Sequence, residues 1–150
     1  MTGQGLSKFT FCQVGLVVRN IERSAQAYSQ ALGLPVPEII LTDPLEVAHT
    51  NYRGSPSEGR AKLAFFNLGQ VSIELIEPVG GPSTWQEFLD TKGEGVHHLA
   101  FQIKDTGQVV EFLADQGVSF VQQGDYTGGM YTYLDATKPL GVILELLENF

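Results

Sequence analysis

One stretch of the chain combines an apolar strand face with a histidine on the opposite face. It reads Gly95-Val96-His97-His98-Leu99-Ala100-Phe101-Gln102-Ile103. Its alternation predicts a strand in which the apolar side chains at 99, 101 and 103 share one face, and His98 shares the other with the small Ala100. This arrangement makes His98 a candidate ligand or catalytic residue.

The same pattern occurs once before in the chain. Residues 13–20, Gln-Val-Gly-Leu-Val-Val-Arg-Asn, align without a gap with residues 98–105, His-Leu-Ala-Phe-Gln-Ile-Lys-Asp. Residues 71–77, Val-Ser-Ile-Glu-Leu-Ile-Glu, align in the same way with residues 142–148, Val-Ile-Leu-Glu-Leu-Leu-Glu. The first half is the longer of the two because of its middle part, between Pro35 and Arg60.

Each half reads as a strand, a helix and then three strands. Asn20 and Asp105 are the predicted helix N-caps. We therefore predict an α+β fold of two tandem βαβββ modules, residues 9–77 and 95–149, whose sheets curl around a shared cleft. A connector, residues 78–94, begins with the breaker cluster Pro-Val-Gly-Gly-Pro, and a short helix follows this cluster.

Three local features complete the prediction. Residues 45–52 are interpreted as strand, Gly124 to Gly129 as a glycine-rich turn and candidate lid, and Thr84 with Glu87 as a capping box at the start of the connector helix. His97 is out of phase with His98, so we expect it to face the helices as a hydrogen-bonded supporting residue.

The repeat places one polar side chain at the centre of each of four strands, on the faces away from the helices. A carboxylate among branched aliphatic side chains is costly unless it is paired or bound to a metal. If the modules share a cleft, the four groups converge, and we predict that they are metal ligands: Gln13, Glu74, His98 and Glu145.

The ligand set favours a hard or borderline divalent ion, because it offers one imidazole, two carboxylates and an amide oxygen. Mn, Co, Ni, Mg and Zn all fit, and the identity of the metal stays open. A closed structural zinc site would instead use thiolate and imidazole. The alternatives are a core histidine bonded to a carbonyl at His98 and water-facing sheet-edge carboxylates at Glu74 and Glu145.

The chain from 9 to 149 resembles the vicinal oxygen chelate superfamily, which includes glyoxalase I, methylmalonyl-CoA epimerase, extradiol dioxygenases and bleomycin-resistance proteins. The motifs that carry the resemblance are residues 14–18 (Val-Gly-Leu-Val-Val), 73–78 (Ile-Glu-Leu-Ile-Glu-Pro), 95–101 and 141–146 (Gly-Val-Ile-Leu-Glu-Leu). They are most similar to the epimerase. Gln13 departs from the epimerase pattern, which has histidine there, and resembles some glyoxalase I enzymes.

The resemblance implies a glyoxalase-like fold and a metal-dependent epimerase or isomerase that removes a proton next to a carbonyl. Glu145 is then a ligand that doubles as the base, with Glu74 as its partner. The substrate would be an acyl-CoA or, for glyoxalase I (lactoylglutathione lyase) chemistry, a glutathione adduct. A non-catalytic binding protein of the bleomycin-resistance type is the alternative of another class. Fused modules of this superfamily build the cleft either within one chain or across a dimer. Leu63 and Phe65 fit either role, and we expect a homodimer.

Composition limits the classes of binding partner and the location that we expect for the protein. The 150 residues carry net charge -8, with no Lys/Arg cluster, which argues against nucleic acid. No apolar run approaches the roughly 20 residues of a membrane span. Cys12 is the single cysteine, so an internal disulfide is impossible, and we expect a cytoplasmic protein.

Overall fold

Two antiparallel strands at the centre of a ten-stranded mixed sheet join the two halves of the chain. The computed structural model describes residues 5–150, and in it β1 (Thr10–Val17) pairs with β7 (Gly95–Gln102). Each has a parallel neighbour on its outer side: β6 (Ser72–Gly80) beside β1, and β10 (Val142–Asn149) beside β7.

The outer strands repeat the same order on both sides. On the first side lie β5 (Gly59–Asn67) and β2 (Ile40–Leu41), and on the second β9 (Gly129–Ala136) and β8 (Ser119–Tyr126). The order β2-β5-β6-β1-β7-β10-β9-β8 therefore has approximate two-fold symmetry about the β1–β7 pair. This curled mixed sheet confirms the predicted fold class.

Two helices cover the face of the sheet that carries the predicted apolar stripes. These are α1 (Ile21–Leu32) and α4 (Thr106–Ala114), and the Asn20 and Asp105 side chains cap them as predicted, accepting hydrogen bonds from backbone N–H groups. Leu75 and Phe66 pack under α1, and Leu144 and Leu146 pack under α4. Burying these side chains, at about 25 cal/mol per Å² of apolar surface, drives the sheet and helices together.

The connector contains α3 (Thr84–Lys92), whose N-cap is one residue earlier than predicted. The Ser83 hydroxyl accepts the hydrogen bond from the Gln86 N–H, so the predicted capping role of Thr84 is wrong. The Thr84 hydroxyl is therefore available for hydrogen bonds outside α3. A further short helix, α5 (Thr137–Leu140), precedes β10. Among residues 5–150, every helix is too short or too polar to cross a lipid bilayer.

The predicted strand over residues 45–52 is wrong. The segment forms α2 (Leu45–Ala48) and only then the two-residue β3 (Asn51–Tyr52), which pairs with β4 (Ser55–Pro56). Pro44 stands at the N-cap, where its fixed φ favours helix initiation and its missing N–H costs nothing.

This middle part of the first half runs from one side of the sheet to the other. β3 lies inside residues 9–77 but pairs with β8, in the second half. The longer middle of the first half thus extends the edge of the other half, and the division into units 9–77, 78–94 and 95–149 stays a prediction.

The glycine-rich stretch is a strand rather than a lid. β8 continues to Tyr126, and only residues 127 and 128 form the turn to β9. Gly124 is needed for close approach, since a Cβ atom there would lie 2.7 Å from the Tyr131 hydroxyl oxygen. The glycine content of this stretch predicted a turn, because composition does not show which glycine accommodates a neighbouring ring.

Candidate metal centre

The four polar side chains of the central strands meet at one point. His98 Nε2 lies 3.1 Å from Glu145 Oε1, 3.4 Å from Glu74 Oε1 and 3.1 Å from the amide of Gln13. All four side chains are buried, with exposed fractions of 0% for His98 and 4%, 7% and 8% for Glu145, Glu74 and Gln13. The structure therefore brings together every residue of the predicted ligand set.

Strand register explains the convergence. Gly15 of β1 lies opposite both Glu74 of β6 and His98 of β7, and Ala100 of β7 lies opposite both Gln13 and Glu145. The small residues thus alternate with the donors on one face of four adjacent strands. A Cβ atom at Gly15 would lie 2.5 Å from both ring nitrogens of His98, so glycine is what makes room for the imidazole.

Glu74 and Glu145 bring two carboxylates together in a buried site, which costs free energy unless a cation balances their charge. Burial raises the pKa of Glu74, His98 lowers it through a hydrogen bond, and the charge of Glu145 raises it again, the net shift being upward. Burial alone would lower the pKa of His98, but Glu145 and then Glu74 outweigh this and raise it to about 9. Within residues 5–150, the ion pairs of these two carboxylates are with His98 alone.

The amide of Gln13 completes the network. Its nitrogen, when it points inward, donates to Glu145 Oε1 at 2.9 Å and Glu74 Oε1 at 3.2 Å. The alternative orientation would point the amide oxygen at two carboxylates, so the hydrogen-bond network assigns the nitrogen to the inward position. A half-turn of the amide would present the oxygen instead, which is the donor that a cation needs.

The donor chemistry fits a divalent metal. Glu74, His98 and Glu145 each offer one ligand atom, and these atoms lie within 4.8 Å of one another. Two ligands of one ion are at most about 4 to 5 Å apart at ordinary bond lengths. Two buried carboxylates facing one imidazole need a cation to balance them. These three residues can therefore hold a metal ion, and Gln13 is placed to join them.

His97 supports His98, but from a direction that the sequence did not predict. Its Nδ1 lies 2.9 Å from His98 Nδ1, and its Nε2 lies 3.1 Å from the Thr84 hydroxyl of α3. The prediction that His97 faces the covering helices is wrong because His97 occupies a bulge: Gly15 pairs with His98 but Leu16 pairs with Val96. Burial lowers the pKa of His97 well below its usual value, which keeps the ring neutral.

The donors open into a cavity of about 540 Å³. Gln13, Glu74 and Glu145 form part of its wall, together with Trp85 of α3 and Tyr131 and Tyr133 of β9. The Trp85 indole N–H donates to the Tyr133 hydroxyl at 3.0 Å. The cavity has the size of an ordinary small-molecule site.

Sequence reasoning missed the polar residues that hold α3 against the cavity. The fully buried Gln122 of β8 accepts from the Thr84 N–H at 2.8 Å and donates to the Tyr131 hydroxyl at 2.9 Å. Nothing in the strand alternation marks Gln122, since its partner lies in a helix far away in the chain.

The repeat also contains a second pair of carboxylates, and the structure separates it from the first. Glu77 Oε1 accepts from the Ile21 N–H at 2.9 Å, and Glu148 Oε1 accepts from the Thr106 N–H at 2.9 Å. Both bonds satisfy the first N–H of a covering helix. Glu74 and Glu145 are thus the pair at the cavity, and Glu77 and Glu148 are helix anchors.

The fold and donor set define a class of protein: a curled mixed sheet that encloses a buried carboxylate–histidine group suited to a divalent metal. The sequence pattern of the Glyoxalase/Bleomycin resistance protein/Dioxygenase superfamily matches residues 12–133. The chain belongs to this superfamily.

Several relatives and solved structures are similar to this chain. The uncharacterized protein YqjC of Bacillus subtilis is 30% identical over 139 residues, covering 90% of this chain and 89% of YqjC. Human mitochondrial methylmalonyl-CoA epimerase is 30% identical over 98 residues, 65% of this chain but only 48% of the human protein. The chain thus spans about half the length of that relative.

Solved structures share the fold at lower identity. Methylmalonyl-CoA epimerase from Mycobacterium tuberculosis has a TM-score of 0.64 at 23% identity, covering 100% of this chain and 93% of that one. A methylmalonyl-CoA epimerase solved with methylmalonyl-CoA and NH4+ has the same TM-score at 22% identity, covering 94% of each chain. These likenesses show the fold.

Proposed function

We propose that the protein is a metal-dependent enzyme that removes a proton from a carbon next to a carbonyl group. The observation that carries this proposal is the buried cluster of Glu74, His98 and Glu145 at the wall of a cavity. A purely structural site would be closed on all sides, whereas the carboxylates of this site line a cavity of substrate size.

Each residue has a distinct part in this chemistry. Gln13, Glu74, His98 and Glu145 would hold the ion, which would supply Lewis acidity to the substrate carbonyl. Glu145 takes the proton, since its carboxylate is at the cavity wall and proximity replaces a bimolecular step. Glu74 is the corresponding group on the neighbouring half and returns a proton in an epimerisation. Trp85 and Tyr133 keep water from one side of the site.

Two substrate classes follow from the relatives and from the donor set. Relatives named methylmalonyl-CoA epimerase favour epimerisation of an acyl-CoA. Gln13 favours the alternative, a lactoylglutathione lyase reaction on a glutathione hemithioacetal, because the set Gln, Glu, His and Glu resembles glyoxalase I. In the first, the proton returns to the same carbon. In the second, it goes to the neighbouring carbon.

Solvent deuterium exchange tests the proposal. Protein loaded with Mn, Co, Ni, Zn or Mg is incubated in D2O with methylmalonyl-CoA, or with methylglyoxal and glutathione, and products are followed by NMR and mass spectrometry. We expect metal-dependent deuterium incorporation into at least one substrate. Glu145→Gln should lower the rate at least about 100-fold, the low end of what a positioned base contributes, and keep the fold.

An exposed carboxylate provides the control for that variant. Glu111→Gln, on α4, makes the same chemical change outside the cavity and should leave the exchange rate as it is. Equal exchange by wild type and Glu145→Gln would remove Glu145 as the base. Tight binding of these compounds with no exchange under any metal would favour the non-catalytic binding protein.

Assembly and location also enter as proposals. We propose a homodimer and a cytoplasmic location, as the sequence predicted. The donors come from a single chain, so the dimer is not needed to complete them. Leu63 and Phe65, expected to serve either cleft or dimer, line the cavity. Light scattering of the purified protein decides the oligomeric state, and a monomeric mass would reject the dimer.

A further inference from the structure

The charged side chains on the cavity wall all carry the same sign. They are Glu74 and Glu145 at the metal centre and Asp43 and Asp125 nearer the solvent. Asp43 and Asp125 are exposed, and Asp125 accepts a hydrogen bond from His49 at 2.9 Å. A divalent ion would balance Glu74 and Glu145, whereas Asp43 and Asp125 are not among the residues that could hold it.

The basic residues of the chain are directed elsewhere. The chain has nine Lys and Arg residues, all within residues 5–150, and the cavity wall includes none of them. Alternation along β5 explains two of them: Gly59, Leu63 and Phe65 reach the cavity, so Arg60 and Lys62 take the opposite face.

Contacts confirm where these cations are used. Arg60 donates to the Thr42 carbonyl, and the Lys62 ammonium lies 3.6 Å from Glu22 of α1. Arg53 pairs with Glu87 of α3 at 2.7 Å. These three basic residues are therefore engaged by other parts of the chain and do not line the cavity.

The remaining wall near the solvent is apolar. Ile40 and Leu41 are each 46% exposed and Phe65 is 39% exposed, although all three are large hydrophobic residues. Apolar side chains left open to water around a cavity mark a surface that binds apolar ligand. An anionic group passing this rim would lose water and be repelled by Asp43 and Asp125, an interaction that salt screens over a Debye length of about 8 Å at physiological ionic strength.

We propose that the part of the substrate that the cavity holds, apart from the two oxygens that reach the metal, is uncharged and apolar. The phosphates of coenzyme A or the carboxylates of glutathione then contribute no binding energy within the cavity, and a truncated thioester without them is as good a substrate. This inference rests on the proposed proton abstraction and specifies its substrate class.

A matched pair of thioesters tests it. Methylmalonyl-CoA and the methylmalonyl thioester of N-acetylcysteamine have the same reacting group and differ in the charged tail. With metal-loaded protein in D2O, we expect kcat/KM for exchange to be at least as high for the N-acetylcysteamine thioester, which lacks the phosphates of coenzyme A. The kcat/KM of the CoA thioester, but not that of the N-acetylcysteamine thioester, should rise several-fold between about 10 and 200 mM KCl. Salt screens the repulsion between the CoA phosphates and the acidic rim.

The outcomes separate this inference from the function on which it rests. A preference of tenfold or more for the CoA thioester would overturn the inference and leave proton abstraction standing. The same holds for a kcat/KM of the CoA thioester that falls with salt. Exchange with neither thioester would reject the proposed function, and this inference with it.

Charge reversal on the rim gives a second readout. Asp43→Lys should shift the ratio of kcat/KM values toward the CoA thioester by several-fold, because it replaces repulsion with attraction. Glu111→Lys makes the same change in net charge on α4, outside the cavity, and should leave the ratio as in wild type. An equal shift in both variants would mean that net charge alone, rather than the cavity rim, decides selectivity, and would overturn the inference.

Discussion

Replacing Gly15 by alanine tests whether the strand register at the metal centre is as described. The added Cβ atom would lie 2.5 Å from both Nδ1 and Nε2 of His98, far inside van der Waals contact. His98 cannot move away freely, since it is fully buried and its ring contacts His97 and Tyr133. Either the imidazole or strand β1 must shift.

Both shifts have a measurable cost. Overpacking of a buried site typically lowers the free energy of unfolding by about 1 to 3 kcal/mol. For a chain of this length, that corresponds to a melting temperature lower by about 2 to 12 °C. A displaced His98 should also weaken metal binding, by about 10- to 100-fold if the effect resembles the loss of a supporting contact.

Differential scanning calorimetry and isothermal titration with Mn or Co measure these two quantities. Gly107→Ala is the matched control: it lies in α4, where the added Cβ would have its nearest neighbour at 3.8 Å. Alanine at this first-turn position should keep stability at the wild-type level or raise it by up to about 1 kcal/mol. Wild-type stability and wild-type metal affinity in Gly15→Ala would refute the placement of His98 against Gly15.

Two further predictions concern pH and the cavity wall. The free energy of unfolding of the metal-free protein in urea should fall as pH rises from 6.5 to 9. The reason is that His98 has a folded-state pKa of about 9, above its usual 6.5, so its stabilising charge is lost over that range. His98→Asn should flatten this dependence on pH, and an equal dependence in that variant would contradict the assignment. Trp85→Phe removes the donor to the buried Tyr133 hydroxyl and should lower the free energy of unfolding by about 1 to 3 kcal/mol in urea denaturation, whereas an unchanged midpoint would mean that this bond contributes nothing.

The central sheet and the donor set were predictable because both depend on local alternation. A strand has a period of two, so the face of each donor follows from its distance to the apolar residues beside it. Internal repetition then added the long-range information, since His98 and Gln13 had to take equivalent places on paired strands. This is why the four donors converge as expected.

The features that the sequence did not reveal depend on contacts between distant segments. His97 lies in a bulge that exists only because β1 and β7 pair in one register, so alternation assigned it to the wrong face. Gly124 is explained by the ring of Tyr131, and the path of residues 42–56 by pairing between β3 and β8. Local composition does not reveal that Tyr131 packs against Gly124 or that β8 pairs with β3. The sequence therefore predicted a turn and a strand in the wrong places.

Metal binding to the chelator-treated protein tests the central claim most directly. Isothermal titration with Mn, Co, Ni, Zn and Mg should show one site per chain for at least one of these ions, with a higher melting temperature when the site is filled. His98→Ala should abolish that binding, whereas His49→Ala, an exposed histidine outside the cluster, should retain it. Wild-type protein that binds none of these ions, or binding that survives His98→Ala unchanged, would contradict the account.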